Sequence, residues 1–103
     1  MLAIDIDKDR LRDFCQRWKI RELALFGSVT RPDEFRQDSD VDVMVTFEQD
    51  ARWTLLHMVD MKEQLEELFG RPVDLLTRRG VERSHNRIRR ESILDSAVVL
   101  DVA

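Results

Sequence analysis

Apolar side chains recur along this chain with two different periods, and the longer period predicts its helices. Residues 8–18 have a helical pattern, formed by Leu11, Phe14, Cys15 and Trp18. Residues 52–69 have the same pattern over a longer stretch, and Gly70 is typical of the position that ends a helix. A third helix with less certain ends is expected near residues 84–95.

Shorter apolar runs between these helices predict strands. The runs cover residues 21–26, 41–47, 72–77 and 97–100. In the second run alternate side chains point to opposite faces of a sheet, with Val41, Val43 and Val45 on one face and Asp40, Asp42 and Met44 on the other. The chain is therefore predicted to be an α+β protein, with a small mixed β-sheet on which helices pack, and residues 1–103 are expected to form a single domain.

Composition and charge narrow the class of protein. Apolar residues make up 43% of the chain, which is enough for a core, and no run is long enough to cross a bilayer, so a cytoplasmic protein is expected. The single cysteine, Cys15, is expected to pack in the core. Residues 1–77 carry 17 acidic against 11 basic side chains, and this excess argues against direct nucleic-acid binding.

The rest of the chain is basic and allows two interpretations. Six arginines lie after residue 77: Arg78, Arg79, Arg83, Arg87, Arg89 and Arg90. A solvated helix face is the favoured explanation, because long basic side chains are common on surfaces. Binding to a partner or to phosphate is the alternative.

Two aspartates stand in the predicted strand 41–47 or at its start, where aspartate is disfavoured. Asp40 and Asp42 point the same way, and two carboxylates about 4 Å apart repel by roughly 4 kcal/mol at an effective dielectric near 20. A cation would relieve this repulsion, and Mg²⁺ prefers such oxygen ligands. Asp74 interrupts another predicted strand and would add a third carboxylate if the two strands are neighbours. It would then take a proton from an attacking hydroxyl or hold a second ion.

The turn after residues 21–26 is a candidate phosphate site. Gly27 allows close approach of a ligand to the backbone, and Ser28 can begin a helix whose free N–H groups face an anion. Arg31 follows closely and could add a charge-assisted contact to the same phosphate oxygens.

These three segments, "FGSVTR", "SDVDVMV" and "PVDLLT", together resemble the minimal nucleotidyltransferase (MNT) domains of the polymerase-beta-like superfamily. The resemblance implies that Gly27 and Ser28 bind the phosphates of ATP, that Asp40 and Asp42 bind Mg²⁺, and that Asp74 is the third acid. The loop departs from the family pattern, with eleven residues between Ser28 and Asp40 and with Pro32 where many members have glycine. Because this departure lies in the loop, it affects the predicted phosphate contact of Arg31 more than the predicted metal ligands Asp40 and Asp42.

Small MNT proteins of this kind are antitoxins of HEPN-domain ribonuclease toxins. The resemblance therefore implies transfer of AMP from ATP to a tyrosine of a partner HEPN toxin, in an assembly with that toxin. Two alternatives stay open: an antitoxin that neutralises the toxin by binding alone, and a transferase that modifies a small molecule. His57, His85 and Ser39 are expected to have structural or surface roles, and Trp18, Trp53, Met58 and Met61 are expected in the core or an interface.

Overall fold

The computed structural model describes residues 4–100, which form one four-stranded sheet with helices on both faces. The elements follow in the order α1 (Lys8–Arg17), β1 (Ile20–Phe26), a 3₁₀ helix (Gly27–Thr30), β2 (Val41–Phe47), α2 (Leu55–Phe69), β3 (Val73–Thr77), α3 (Arg78–Glu82), α4 (Arg87–Ser96) and β4 (Val98–Leu100). This arrangement confirms the predicted α+β class and the mixed sheet.

The strands lie in the order β3-β2-β1-β4. Strand β1 is antiparallel to both of its neighbours, whereas β2 and β3 are parallel. Parallel neighbours need a crossover connection, and α2 supplies it. The carboxylate of Glu66 in α2 accepts a hydrogen bond of 3.0 Å from the backbone N–H of Val73, so the crossover helix is tied directly to the start of β3.

Two apolar cores cover the two faces of the sheet. The larger core joins α1 and α2 to the face that carries Val41, Val43 and Val45. The smaller core joins α3 and α4 to the opposite face, through Ala24, Phe26, Met44, Val81 and Ile93. The predicted alternation along β2 is therefore confirmed, and the face with Asp42 is the face that α3 and α4 cover.

Two boundaries and one element differ from the prediction. Helix α2 begins at Leu55 rather than at residue 52, because the backbone N–H of Thr54 donates to Nδ1 of His57 (2.9 Å) and Trp53 instead packs edge-on against Trp18. Helix α4 begins at Arg87, after the Asn86 side chain accepts from the backbone N–H of Arg89 (3.1 Å). Helix α3 was not predicted, since five residues hold too few apolar positions to show a period. Within residues 4–100 no helix is long and apolar enough to cross a membrane.

Candidate functional site

The parallel pairing of β2 and β3 brings Asp42 and Asp74 side by side. These residues are direct partners in the register, and neighbouring strands lie about 4.8 Å apart. Two residues further along, Met44 pairs with Leu76 in the same way, and both side chains pack in the core under α3 and α4. Side chains two positions apart share a face, so Asp42 and Asp74 lie on that face, just beyond the end of its apolar core.

The turn at Gly27 is built against Asp42. Phe26 is the register partner of Asp42 on β1, and Gly27 follows it with a φ of +73°. A Cβ atom added at Gly27 would overlap a carboxylate oxygen of Asp42 and stand only 3.3 Å from its Cγ. Both the left-handed backbone and the missing side chain are therefore required at this position.

Hydrogen bonds fix this turn to the rest of the molecule. The Thr30 hydroxyl donates to the carbonyl oxygen of Gly27 (2.6 Å), and the backbone N–H of Gly27 donates to Oγ of Ser96 (3.4 Å) at the end of α4. The half-buried side chain of Ser28 makes no hydrogen bond within residues 4–100. Its hydroxyl thus stays available to a ligand.

The electrostatics of the site centre on Asp42. Burial raises the pKa of its carboxyl group, and the negative charges of Asp74 and Asp40 raise this pKa further. The positive charges of Arg89 and Arg31 act in the opposite direction but do not cancel the rise. Two predicted acids and one predicted cation thus act on Asp42, together with Arg89, which the sequence did not single out from the other arginines.

The six arginines after residue 77 have different surroundings. Arg78 forms ion pairs with Glu22 and Glu82, Arg87 pairs with Glu91, and Arg90 donates to the carbonyl oxygen of Ser84. Arg89 instead acts on Asp42 across the chain. Arg89 is exposed, as the predicted solvated face requires, and it differs from the other arginines in this effect on Asp42. Its sequence position, at the start of a helix among other arginines, carries no signal that separates it from them.

Arg31 lies where the sequence placed it, but it is already engaged. Its guanidinium forms an ion pair with the carboxylate of Glu34, three residues later in the same loop. The two side chains are 50% and 59% exposed to solvent, and ion pairs between such exposed groups contribute little stability. Arg31 can therefore exchange this partner for an anionic ligand at small cost.

The donor chemistry at the sheet fits a hard divalent cation. Carboxylate oxygens from Asp40, Asp42 and Asp74 are the ligands that Mg²⁺ prefers, and their mutual repulsion favours a cation between them. The geometry is less complete than the sequence predicted. Among residues 4–100, no three His, Cys, Asp or Glu side chains are gathered into a finished metal-binding cluster. Asp40 and Asp74 are exposed, so their side chains have room to turn towards Asp42.

The remaining predicted roles are structural. Ser39 accepts a hydrogen bond from the backbone N–H of Arg36 (2.8 Å) within a turn, and His57 caps α2. Burial raises the pKa of the Cys15 thiol to about 11, so this side chain packs as a neutral group. Trp18 and Met61 are core residues, and His85 is exposed.

Comparison with known proteins agrees with this geometry. The family model described as a nucleotidyltransferase domain matches residues 8–100. Protein adenylyltransferase MntA of Thermococcus cleftensis is 40% identical over 65 residues, which is 63% of each chain. MJ1379 of Methanocaldococcus jannaschii, provisionally named a protein adenylyltransferase, is 30% identical over 82 residues, 80% of this chain and 78% of its own.

Solved structures share the fold. A provisionally described minimal nucleotidyltransferase superposes with a TM-score of 0.68 at 36% identity, over 90% of this chain and 88% of its own. A toxin–antitoxin structure with AMP-PNP gives 0.67 at 17% identity, over 91% and 72%. A complex of tri-AMPylated Shewanella oneidensis HEPN toxin with an MNT antitoxin gives 0.58 at 15% identity, over 89% and 66%. At their low identity the two complexes show a common fold alone.

Proposed function

We propose that this chain, which belongs to the nucleotidyltransferase domain family, transfers AMP from ATP to a hydroxyl group, that of a tyrosine, on a partner HEPN toxin and so acts as its antitoxin. One observation carries the proposal. Asp42 and Asp74 stand opposite each other on parallel strands, and the Gly27 turn is closed against the same carboxylate of Asp42. The relatives named protein adenylyltransferase support a protein as the acceptor of AMP.

In this proposal Asp40, Asp42 and Asp74 are the residues that would hold Mg²⁺. When bound, the ion neutralises phosphate charge and lowers the pKa of an oxygen that it coordinates. The raised pKa of Asp42 supports this assignment, because a carboxylate repelled by two others gains most from a cation. Asp40 and Asp42 form the primary pair, and Asp74 either completes the ligand set or acts as a base.

Phosphate binding is assigned to the turn and to two arginines. Gly27 lets the backbone come close to the phosphates, and the free hydroxyl of Ser28 can donate to a phosphate oxygen. Arg31 and Arg89 both act electrostatically on Asp42, one from the loop and one from α4, so both would also attract a triphosphate bound there. Guanidinium groups form strong charge-assisted bonds to such oxygens.

The transfer itself is a substitution at phosphorus. The acceptor oxygen forms a bond to the α-phosphorus of ATP, the bond from that phosphorus to the oxygen bridging the α and β phosphates breaks, and pyrophosphate leaves with the bond's electron pair. The hydroxyl proton passes to Asp74, or to water where Asp74 is a metal ligand. The chain's own contribution is to orient the groups and to neutralise charge.

A label-transfer assay tests the function. The chain is incubated with its HEPN partner, Mg²⁺ and ATP labelled at the α-phosphate. We expect label on the toxin with the wild type, and a loss of at least 100-fold with Asp42→Asn. Asp38→Asn is the matched control, because Asp38 is an exposed loop acid outside the strands. An unlabelled toxin, or equal labelling by Asp42→Asn, refutes the proposal.

A second function is favoured by one observation, namely that the three acids are not gathered into a finished metal cluster within residues 4–100. An antitoxin that only covers its toxin would need no such cluster. Co-expression of the toxin with the Asp40→Asn/Asp42→Asn double variant separates the two functions. If neutralisation requires transfer, the variant leaves cells unprotected although it still binds the toxin. A pure binder protects them as well as the wild type does.

A further inference from the structure

A cleft of about 460 Å³ runs along the edge strand β3, between α2 on one face of the sheet and α3 and α4 on the other. Apolar side chains from four elements, α2, β3, α3 and α4, line much of it, and two arginines stand at its α4 side. Its lining includes Leu55, Met58, Leu76, Val81, Arg89 and Arg90. None of its lining residues within 4–100 is acidic, so the cleft favours an occupant with apolar and negatively charged groups.

The cleft and the acidic site adjoin each other along β3. Arg89 lines the cleft and also acts electrostatically on Asp42. Leu76 lines it from β3 and lies two residues beyond Asp74, on the same face of that strand. One strand residue spans about 3.3 Å, so Leu76, which lines the cleft, lies about 7 Å from Asp74 along β3. A segment bound here can place a side chain beside the carboxylates.

The two helices that flank the cleft carry exposed apolar side chains, Leu55, Leu56, Val59 and Ile88, which are here called its rim. Leu55 lines the cleft and is 84% exposed, and Leu56 and Val59 next to it on α2 are 78% and 52% exposed. Ile88, which directly precedes Arg89 on α4, is 83% exposed. Four of the six large apolar side chains that are exposed within residues 4–100 thus belong to these two helices. Grouped exposure of this kind marks a surface that binds a macromolecule.

We propose that this cleft and its rim, formed by Leu55, Leu56, Val59 and Ile88, bind the acceptor segment of the HEPN toxin, an apolar segment with acidic side chains beside the acceptor hydroxyl. The inference rests on the proposed function, and it assigns a surface to the toxin that is separate from the nucleotide's turn. Apolar side chains of the segment pack on the rim, an acidic side chain meets Arg90, and the hydroxyl enters beside Asp42 and Asp74.

Surface variants test this assignment without disturbing the fold. Leu55→Ala/Leu56→Ala/Ile88→Ala removes three exposed side chains and keeps residues that favour a helix. Val98→Ala/Val99→Ala is the matched control, because it removes exposed apolar groups (41% and 55%) from β4 on the opposite edge of the sheet. Toxin binding is measured by calorimetry without ATP, AMP-PNP binding is measured with Mg²⁺, and label transfer is measured as kcat/KM for the toxin.

We expect the triple variant to bind the toxin at least tenfold more weakly, with a matching fall in kcat/KM, while its Kd for AMP-PNP changes by less than twofold. The β4 variant should match the wild type in all three measurements. A parallel loss of AMP-PNP affinity would assign the cleft to the nucleotide and overturn the inference. Unchanged toxin binding would overturn it too. If the wild type binds the toxin but labels nothing, the proposed function fails, and the binding data still decide the surface.

Discussion

Asp42 is the residue on which the chemistry of this site converges. Its register partner is Asp74, the turn at Gly27 packs against it, and Arg89 of α4 acts on it electrostatically; its carboxyl pKa is raised by burial and by two like charges. The sequence pattern identified this aspartate from its strand position alone. It could not identify Arg89, because the distance between residues 42 and 89 is set by how α4 packs.

The contact between Gly27 and Asp42 gives a prediction with an internal control. Gly27→Ala places a methyl group against the Asp42 carboxylate and also strains a left-handed backbone, which costs roughly 1–2 kcal/mol. Gly70→Ala introduces the same strain at a φ of +71°, but its Cβ meets open space. We expect both variants to lower the free energy of unfolding, and Gly27→Ala alone to lose label transfer. Equal activity in the two variants would show that the Gly27 contact has no functional role.

The raised pKa of Asp42 predicts a stability that depends on pH. A carboxyl whose folded pKa is raised favours folding below its unfolded pKa, about 3.9, and this contribution is lost as the pH rises through the folded pKa. Asp42→Asn mimics the protonated form. In buffer with a chelator we expect it to raise Tm at pH 7 by about 1–4 °C, since screening holds the repulsion below about 1 kcal/mol.

Thermal unfolding from pH 4 to pH 7 checks this expectation. The difference in Tm between Asp42→Asn and the wild type should be small near pH 4 and should grow towards pH 7, with the variant the more stable. Asp38→Asn serves as the control and should show no such trend. A variant less stable than the wild type at pH 7 would contradict the proposed repulsion.

At the level of elements, periodicity predicted most of the fold. The helices and strands of 8–18, 21–26, 41–47, 72–77 and 97–100 match the structure to within one or two residues. The pairing of β2 with β3 was not predictable, because local pattern does not specify which strands are neighbours. The register of Asp42 with Asp74 follows from that pairing. The structure begins α2 and α4 later than predicted, because the capping residues Thr54 and Asn86 set their starts. Helix α3 was too short for its period to be detected.

Helix α4 contains Arg89, whose positive charge acts on Asp42. If Arg89 neutralises the triphosphate, Arg89→Ala should weaken AMP-PNP binding by roughly 10- to 150-fold, as expected for a charge-assisted hydrogen bond of roughly 1.5–3 kcal/mol. Arg87→Ala is the control on the same helix, because Arg87 pairs with Glu91 instead. The pH at which label transfer rises should also shift upwards in Arg89→Ala, since Arg89 lowers the pKa of Asp42. Identical binding and pH profiles for the two variants would exclude this role.

The start of α2 provides a purely structural prediction. The imidazole of His57 accepts from the backbone N–H of Thr54, so His57→Ala should cost about 1 kcal/mol of unfolding free energy, as the loss of a helix cap does. His85→Ala should cost almost nothing, because His85 is exposed. Chemical denaturation measures both. Label transfer by the folded His57→Ala protein should match the wild type, and a large loss would place His57 in the site after all.

In the whole molecule, the acidic and basic parts of the sequence are brought together by the fold. The first 77 residues supply the acids of the site, and the basic segment after them returns to it through α4 and β4. Strand β4 pairs with β1, and Ser96 accepts from the backbone N–H of Gly27. The acidic and basic parts therefore meet at one end of the strands, where a metal and an anionic nucleotide would be bound under the proposed function.

Binding of a divalent ion in the presence of nucleotide tests this arrangement most directly. Mn²⁺ takes the same oxygen ligands as Mg²⁺, and its binding can be followed by electron paramagnetic resonance with and without AMP-PNP. We predict that AMP-PNP strengthens Mn²⁺ binding by the wild type and by Asp38→Asn, and that Asp42→Asn and Asp74→Asn each weaken it at least tenfold. Equal Mn²⁺ affinity in all four proteins would contradict the assignment of these strand aspartates as the metal-binding and catalytic centre.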